Sequence, residues 1–184
     1  MGVGYNPRVV TNGLVGYWDA GSSRSYPGSG NSWFDLSGNV NTGTLNGSPT
    51  FSNTNGGKIT FNGTDQRVLC GNASNLQITV GTICVWFNAT NLNSSYRGIF
   101  AKQGAWGLFV KSNVLISYDW GNSGDRTTGI TVGNNSWNYC ALSFTETIGT
   151  PANNARVYLN GTLIANTTAP GTARSANSGI RVAA

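Results

Sequence analysis

Residues 155–166 read ARVYLNGTLIAN. Two β-rich runs are separated only by Asn160-Gly161. A two-residue connection between antiparallel strands needs positive φ at both positions, which Asn and Gly adopt at least cost. The chain must therefore reverse here as a tight hairpin. Asn12-Gly13, Asn46-Gly47, Asn55-Gly56 and Asn62-Gly63 punctuate the sequence in the same way. No apolar stripe of helical period is long enough for a helix. What lies between the turns is short and β-rich: KITF (58–61), ITVGTICVWFNA (78–89), GIFAKQ (98–103), GLFVKS (107–112), VLISYDW (114–120) and SWNYCALSFTET (136–147). In the last of these, Trp137, Tyr139, Ala141 and Ser143 share one face, and Asn138, Cys140, Leu142 and Phe144 the other. Two half-apolar faces predict a strand inside a sandwich. The fold class expected is all-β, a two-sheet antiparallel sandwich.

Composition narrows the partners. The 184 residues are 39% hydrophobic and 11% aromatic but only 9% charged, so Asn, Ser, Thr and Gly supply the polar surface. Net charge is +5, yet the 11 Lys and Arg are isolated along the chain, not clustered as phosphate binding requires. Nucleic acid is thus not an expected partner. MGVGYNPRVV has no apolar leader core, and no apolar run reaches membrane-span length. A protein made in a cytosol, with no membrane partner, is the expectation.

The chain has no histidine, which removes Ser-His-Asp and Cys-His arrangements. Glu146 is the only glutamate, and the aspartates are scattered at 19, 35, 65, 119 and 125, with no paired carboxylates of the glycosidase kind. The chain is therefore expected not to be an enzyme. Cys70, Cys84 and Cys140 each lie in an apolar run and are expected as buried, reduced thiols.

Residues 16–47, GYWDAGSSRSYPGSGNSWFDLSGNVNTGTLNG, look like linker but carry anchors. Trp18, Trp33, Phe34, Leu36 and Leu45 are expected as apolar pegs. Asp19 and Asp35 are expected to accept hydrogen bonds from turn N–H groups. This run, followed by KITFNGTDQRV, resembles the opening of LamG-like, concanavalin A-type jelly-roll domains, in the subgroup abundant among structural proteins of tailed-bacteriophage virions. TICVWFNATN, GIFAKQGAWGLFV and SWNYCALSFTET with ARVYLNGTLIAN resemble later blocks of such domains. Gln66-Arg67 and Asn138 depart from the pattern, as does the short ending SGIRVAA.

The resemblance implies one LamG-like jelly-roll domain over residues 1–184, with 1–12 as an N-terminal arm. It implies a structural protein of a phage virion (capsid decoration, head, neck, or tail and fibre), located in the particle and in contact with other virion proteins and with itself. The alternative is a carbohydrate-binding module attaching to host-surface glycans. Its candidate residues are Trp106, Tyr118, Asp119 and Trp120, aromatics and an acid at strand ends beside loops. No cofactor is expected beyond at most a weak Ca²⁺ site in NGTDQ (62–66) or DLSGNVN (35–41), both poor in carboxylates. LVGYW (14–18) is expected as an N-terminal strand. The closing strand beside it is very short, lies beyond this sequence, or comes from a partner. An oligomer with an edge near 8–18 or 176–184 covered by a neighbour follows from that reading.

Overall fold

A computed structural model describes residues 9–90, 95–102, 105–119, 124–145, 155–167 and 179–183. In these residues the chain forms β1 (Ser32–Trp33), β2 (Gly43–Asn46), β3 (Thr50–Ser52), β4 (Lys58–Thr60), β5 (Arg67–Leu69), β6 (Val80–Asn88), β7 (Arg97–Lys102) and β8 (Trp106–Lys111). It continues with β9 (Val114–Asp119), β10 (Gly124–Thr131), β11 (Trp137–Thr145), β12 (Ala155–Leu159), β13 (Thr162–Thr167) and β14 (Ile180–Val182). An eight-stranded sheet has the order β1-β2-β5-β14-β7-β8-β9-β10, and a four-stranded sheet the order β13-β12-β11-β6. Every pairing within them is antiparallel. The two sheets enclose one core, the two-sheet antiparallel sandwich that the turn rhythm predicts and the jelly-roll class that the resemblance implies.

The alternation of apolar residues explains which faces meet. Leu108 and Val110 of β8 and Leu115 of β9 point inward from the large sheet, with Cys140, Leu142 and Phe144 of β11 and Val157 and Leu159 of β12 from the small one. Trp106 bridges the layers, its ring 5.5 Å from that of Phe144. Burying each large aliphatic side chain contributes about 1.5–3 kcal/mol, so this interior is the main stabilising term. Asn160 and Gly161 take φ of 50° and 84°, the two left-handed positions that the β12–β13 turn requires.

The N-terminal segment differs from expectation, whereas the closing strand is very short, one of the expected options. Among the described residues, 14–18 pair with no strand. They run alongside the 35–41 loop, where Tyr17 N donates to Asp35 Oδ1 (2.8 Å), Leu36 N to Tyr17 O (2.8 Å) and Trp18 Nε1 to Asn41 O (2.9 Å). The closing strand is β14. It sits inside the large sheet, with Arg181 opposite Leu69 of β5 on one side and Ala101 of β7 on the other. Ile180–Val182 is thus a paired interior strand supplied by this chain, and no neighbour is needed to cover it.

The Gly/Ser/Asn-rich opening is a pinned loop, as its anchors predict. Trp33 and Leu45 are buried, and Trp18 packs against the core with its ring 6.4 Å from Phe100. Phe34 is the exception at 45% exposure: as the neighbour of inward Trp33, it points outward. Tyr26 is buried in its stead and donates to Gly30 O. Asp19 Oδ1 accepts from Gly21 N (2.8 Å), and Ser25, fully buried, links Asp19 N to Phe34 O.

All three thiols are free, but they are not alike. Cys70 and Cys140 are buried; Cys84, expected in the core, is exposed, because its place in β6 alternates with inward Ile83 and Val85. Burial pushes both buried thiols up to about 12, with Asp35 adding to the shift at Cys70 and Cys84 at Cys140. Native alkylation is expected to label Cys84 alone, read by intact mass, and Cys70 and Cys140 only after unfolding. A buried thiol that reacts as fast as Cys84 would contradict this packing. The same shifts set a pH dependence. Folded thiols with raised pKa contribute stability present below the unfolded thiol range and lost as pH rises through about 12. Thermal stability should therefore fall progressively above the normal thiol range, and less so in Cys140→Ala.

Candidate ligand-binding face

Backbone register brings the predicted residues together at one end of the large sheet. Trp106 is opposite both Lys102 of β7 and Asp119 of β9, and Gly107 is opposite Tyr118. Trp106, however, is only 5% exposed; its ring stacks on Phe100 at 6.1 Å and packs on Phe144. It is a core aromatic, not a surface platform, because the face of β8 that it shares with Leu108 and Val110 is the one that meets the small sheet. Among the described residues its buried indole N–H has no hydrogen-bond partner. Lys102, beside it, is 1% exposed and donates to Asn72 Oδ1 (2.7 Å); burial pushes its ammonium below the ordinary lysine value. The side chains of Tyr118 and Asp119, and Trp120 entirely, lie outside the described residues.

Exposed aromatics gather on the outer face of the four-stranded sheet. β6 and β11 pair in continuous register, with Tyr139 opposite Trp86 and Ala141 opposite Cys84. Ala141 is in turn opposite Tyr158 of β12, and Tyr158 opposite Leu163 of β13. Side chains at paired positions share a face, so Trp86, Trp137, Tyr139, Tyr158 and Leu163 all stand on the side away from the core. Trp86 is 66% exposed, Leu163 45% and Trp137 38%. Trp86 and Tyr139 lie 5.2 Å apart with planes tilted by 45°. A contiguous apolar group of this kind on a solvent face marks an interaction site.

The platform is held firmly. Asn160, at the hairpin turn, accepts from Tyr139 N through Oδ1 (2.9 Å) and donates its own N–H to Tyr139 O (2.7 Å). The Tyr139 phenol is pushed up to about 12, first by its hydrogen bond with Cys84, then by burial and by repulsion from Cys84 and Cys140. It therefore stays neutral, a hydroxyl able to donate. Polar groups border the aromatics by register: Asn88 beside Trp137, and Arg156 opposite Ser143. The sequence held the signal for this face. Trp137 and Tyr139 share one side of β11, and Trp86 alternates with inward Val85 and Phe87; what the sequence hid was which side meets solvent.

The carboxylates are placed for structure. Asp35 Oδ1 accepts from Tyr17 N and Ser37 N, and Oδ2 from Asn41 N and Ser37 Oγ. Asn62 Oδ1 accepts from the N–H groups of Thr64, Asp65 and Gln66, and Asp65 Oδ1 from Asn62 Nδ2. Both Asp35 oxygens, Asn62 Oδ1 and Asp65 Oδ1 thus accept hydrogen bonds within their own loops. Among the described residues no group of three or more His, Cys, Asp or Glu could hold a metal ion.

No curated protein matches this sequence. Solved structures resemble its fold at low identity. Domain 4 of an extracellular arabinanase from Geobacillus stearothermophilus, in complex with arabinotriose, superposes with a TM-score of 0.59 at 17% identity, over 80% of this chain and 76% of that one. Botulinum neurotoxin type C, whose cell entry depends on interaction with two ganglioside molecules, gives 0.63 at 15%, over 85% of this chain and 41% of that one. Trypanosoma rangeli sialidase in complex with sialic acid gives 0.64 at 15%, over 95% of this chain and 28% of that one. This chain therefore spans less than half of the neurotoxin and sialidase chains. Residues 62–182 match the family model of the concanavalin A-like lectin/glucanases superfamily. Since that match takes in the large-sheet strands from β5 to β10, the whole four-stranded sheet and the closing strand β14, the chain belongs to the concanavalin A-like lectin/glucanases superfamily.

Proposed function

We propose that this chain is a non-catalytic carbohydrate-binding module and that its binding surface is the outer face of the four-stranded sheet. The observation that carries the reading is the exposed Trp86, set against Tyr139 and continued by Trp137 and Tyr158. The C–H faces of pyranose rings stack on such aromatics, and amide and hydroxyl groups at the border, Asn88 and Ser143, match sugar hydroxyls. Support also comes from the fold neighbours: an arabinanase domain in complex with arabinotriose, a neurotoxin whose cell entry depends on gangliosides, and a sialidase in complex with sialic acid. The net charge of +5 and Arg156 at the border favour acidic glycans. Host-surface glycans are the partner class proposed.

The test is a glycan array with the purified chain, followed by calorimetry on the ligands found. Trp86→Ala should weaken binding about 30-fold, an anchor-sized loss of about 2 kcal/mol. Unchanged binding in Trp86→Ala, with loss in Trp120→Ala, would move the site to the sheet end that the sequence pointed to.

A structural place in a phage virion is the second reading. The resemblance of residues 16–47 favours it, as does a charge-poor surface with exposed Trp86, Trp137 and Leu163 suited to packing on other subunits. Recovery of the chain as a stoichiometric component of purified particles, together with a blank array, would favour this reading over the first.

A further inference from the structure

We propose that this chain closes an internal isopeptide bond between Lys102 Nζ and Asn72 Cγ, and that the bond straps β14 into the large sheet. The inference stands independently of any glycan. β14 is only three residues long, yet it sits between β5 and β7. Ile180 stands opposite Lys102 of β7. On its other side, Ile180 N donates to Gly71 O (2.9 Å) and Cys70 N donates to Ile180 O (2.8 Å). Asn72 is the next residue. Lys102 Nζ donates to Asn72 Oδ1 (2.7 Å), so the lysine side chain reaches across β14 at Ile180 to the segment that follows β5.

Lys102 is placed as a nucleophile. It is 1% exposed, and its acceptor among the described residues is a neutral amide oxygen, with no described carboxylate beside it. An ammonium there loses its water and gains no opposite charge. Burial therefore lowers its pKa and favours the neutral amine, whose lone pair is free. Asn72 is placed as the acceptor of that lone pair. Gln77 Nε2 donates to the same Oδ1, so two N–H donors converge on the oxygen that takes negative charge in the adduct. Gln77 is fixed by the turn Ser74–Leu76, through Gln77 N to Ser74 O (3.1 Å) and the buried Leu76. Its own Oε1 is buried with no hydrogen-bond partner among the described residues, a free acceptor for an N–H of the reacting pair.

The step balances without an oxidant or reductant. The Nζ lone pair forms a bond to Cγ, the Cγ–Nδ2 bond breaks, and one Nζ proton passes to Nδ2, which departs as ammonia. Asn72 is exposed, so solvent carries that proton and takes up the ammonia. Cγ lies one C=O bond, about 1.2 Å, from Oδ1 and hence within about 4 Å of Nζ, a side-chain rotation from the near-attack distance of about 3–3.5 Å. Aminolysis of an amide is slow in free solution. Fixed reactants gain effective molarities of about 10⁵–10⁸ M, so the fold supplies the rate and the bond forms after folding.

Intact mass of the folded chain, followed to a constant value, tests the idea together with tryptic mapping. Wild type should settle about 17 Da below the mass of its sequence, one ammonia lost. Trypsin should then yield residues 68–97 joined to 98–111, uncut after Lys102. Lys102→Arg, whose guanidinium keeps its proton, and Asn72→Ala, a change at an exposed residue, should each keep the full mass of their own sequences, with circular dichroism confirming the fold. If Lys102→Arg does not fold, Asn72→Ala carries the comparison. Hydrogen exchange reads the strap: the Ile180 amide should exchange at least about tenfold faster in Asn72→Ala than in bridged wild type. Folded wild type that holds its full mass would overturn the proposal. So would an ammonia loss mapped to a succinimide at an Asn-Gly pair, with no joined peptide. Equal exchange at Ile180 in bridged and unbridged chains would overturn the role given to the bond.

Discussion

Gly57→Ala is expected to lower stability by about 4 kcal/mol, summing backbone strain and a close contact each of a few kcal/mol. Gly57 has φ 104° and ψ 128°, a conformation that side chains rarely adopt. A Cβ there would stand 2.6 Å from both Ala20 O and Gly21 Cα. A Cβ on Gly21 would stand 2.0 Å from Gly56 O. The opening loop and the segment before β4 thus cross backbone against backbone, with no room for a methyl group. Gly56→Ala is the internal control. Its φ is 83°, but nothing lies within 4 Å of its Cβ position, so it should cost only about 1 kcal/mol. Urea unfolding of both variants reads the difference directly; equal losses would mean that the crossing is looser than described.

Asp35→Ala should cost about 3 kcal/mol, from three backbone N–H donors left without an acceptor at about 1 kcal/mol each. Those donors are Tyr17 N, Ser37 N and Asn41 N, at 2.8, 2.8 and 3.0 Å. The residue ties the 14–18 segment to the 35–41 loop, so its loss acts on two pieces of chain at once. Asp35→Asn keeps one acceptor oxygen and should lose roughly half as much. Chemical denaturation gives the totals. Hydrogen exchange at Tyr17 and Asn41 locates them, and unchanged protection there in Asp35→Ala would contradict the role assigned.

The opening loop was legible because its signal is local. Asp and Ser between Gly residues cap nearby N–H groups whatever the distant fold does, and Asp19, Ser25 and Asp35 behave so. The Asn160-Gly161 hairpin was legible for the same reason. Strands with apolar runs were found; β10, GDRTTGIT, was not, because a strand at the end of a sheet needs no apolar run. LVGYW failed in the opposite sense. Its apolar residues do pack on the core, but its backbone groups bond to a loop instead of a ladder. The binding face was half legible. Alternation in β6 and β11 separates Trp86, Trp137 and Tyr139 from the core residues, but no local pattern tells which sheet face is covered. The large sheet covers one face of the small sheet, and nothing among the described residues covers the other, so Trp106 is interior and Trp86 exterior.

Indole N–H resonances report each of the six tryptophans separately during titration with an array-selected glycan. The account predicts that Trp86 and Trp137 shift on saturation, while buried Trp33 and Trp106 hold their positions. Shifts confined to Trp120, or to tryptophans other than Trp86 and Trp137, would contradict the outer face of the four-stranded sheet as the binding surface.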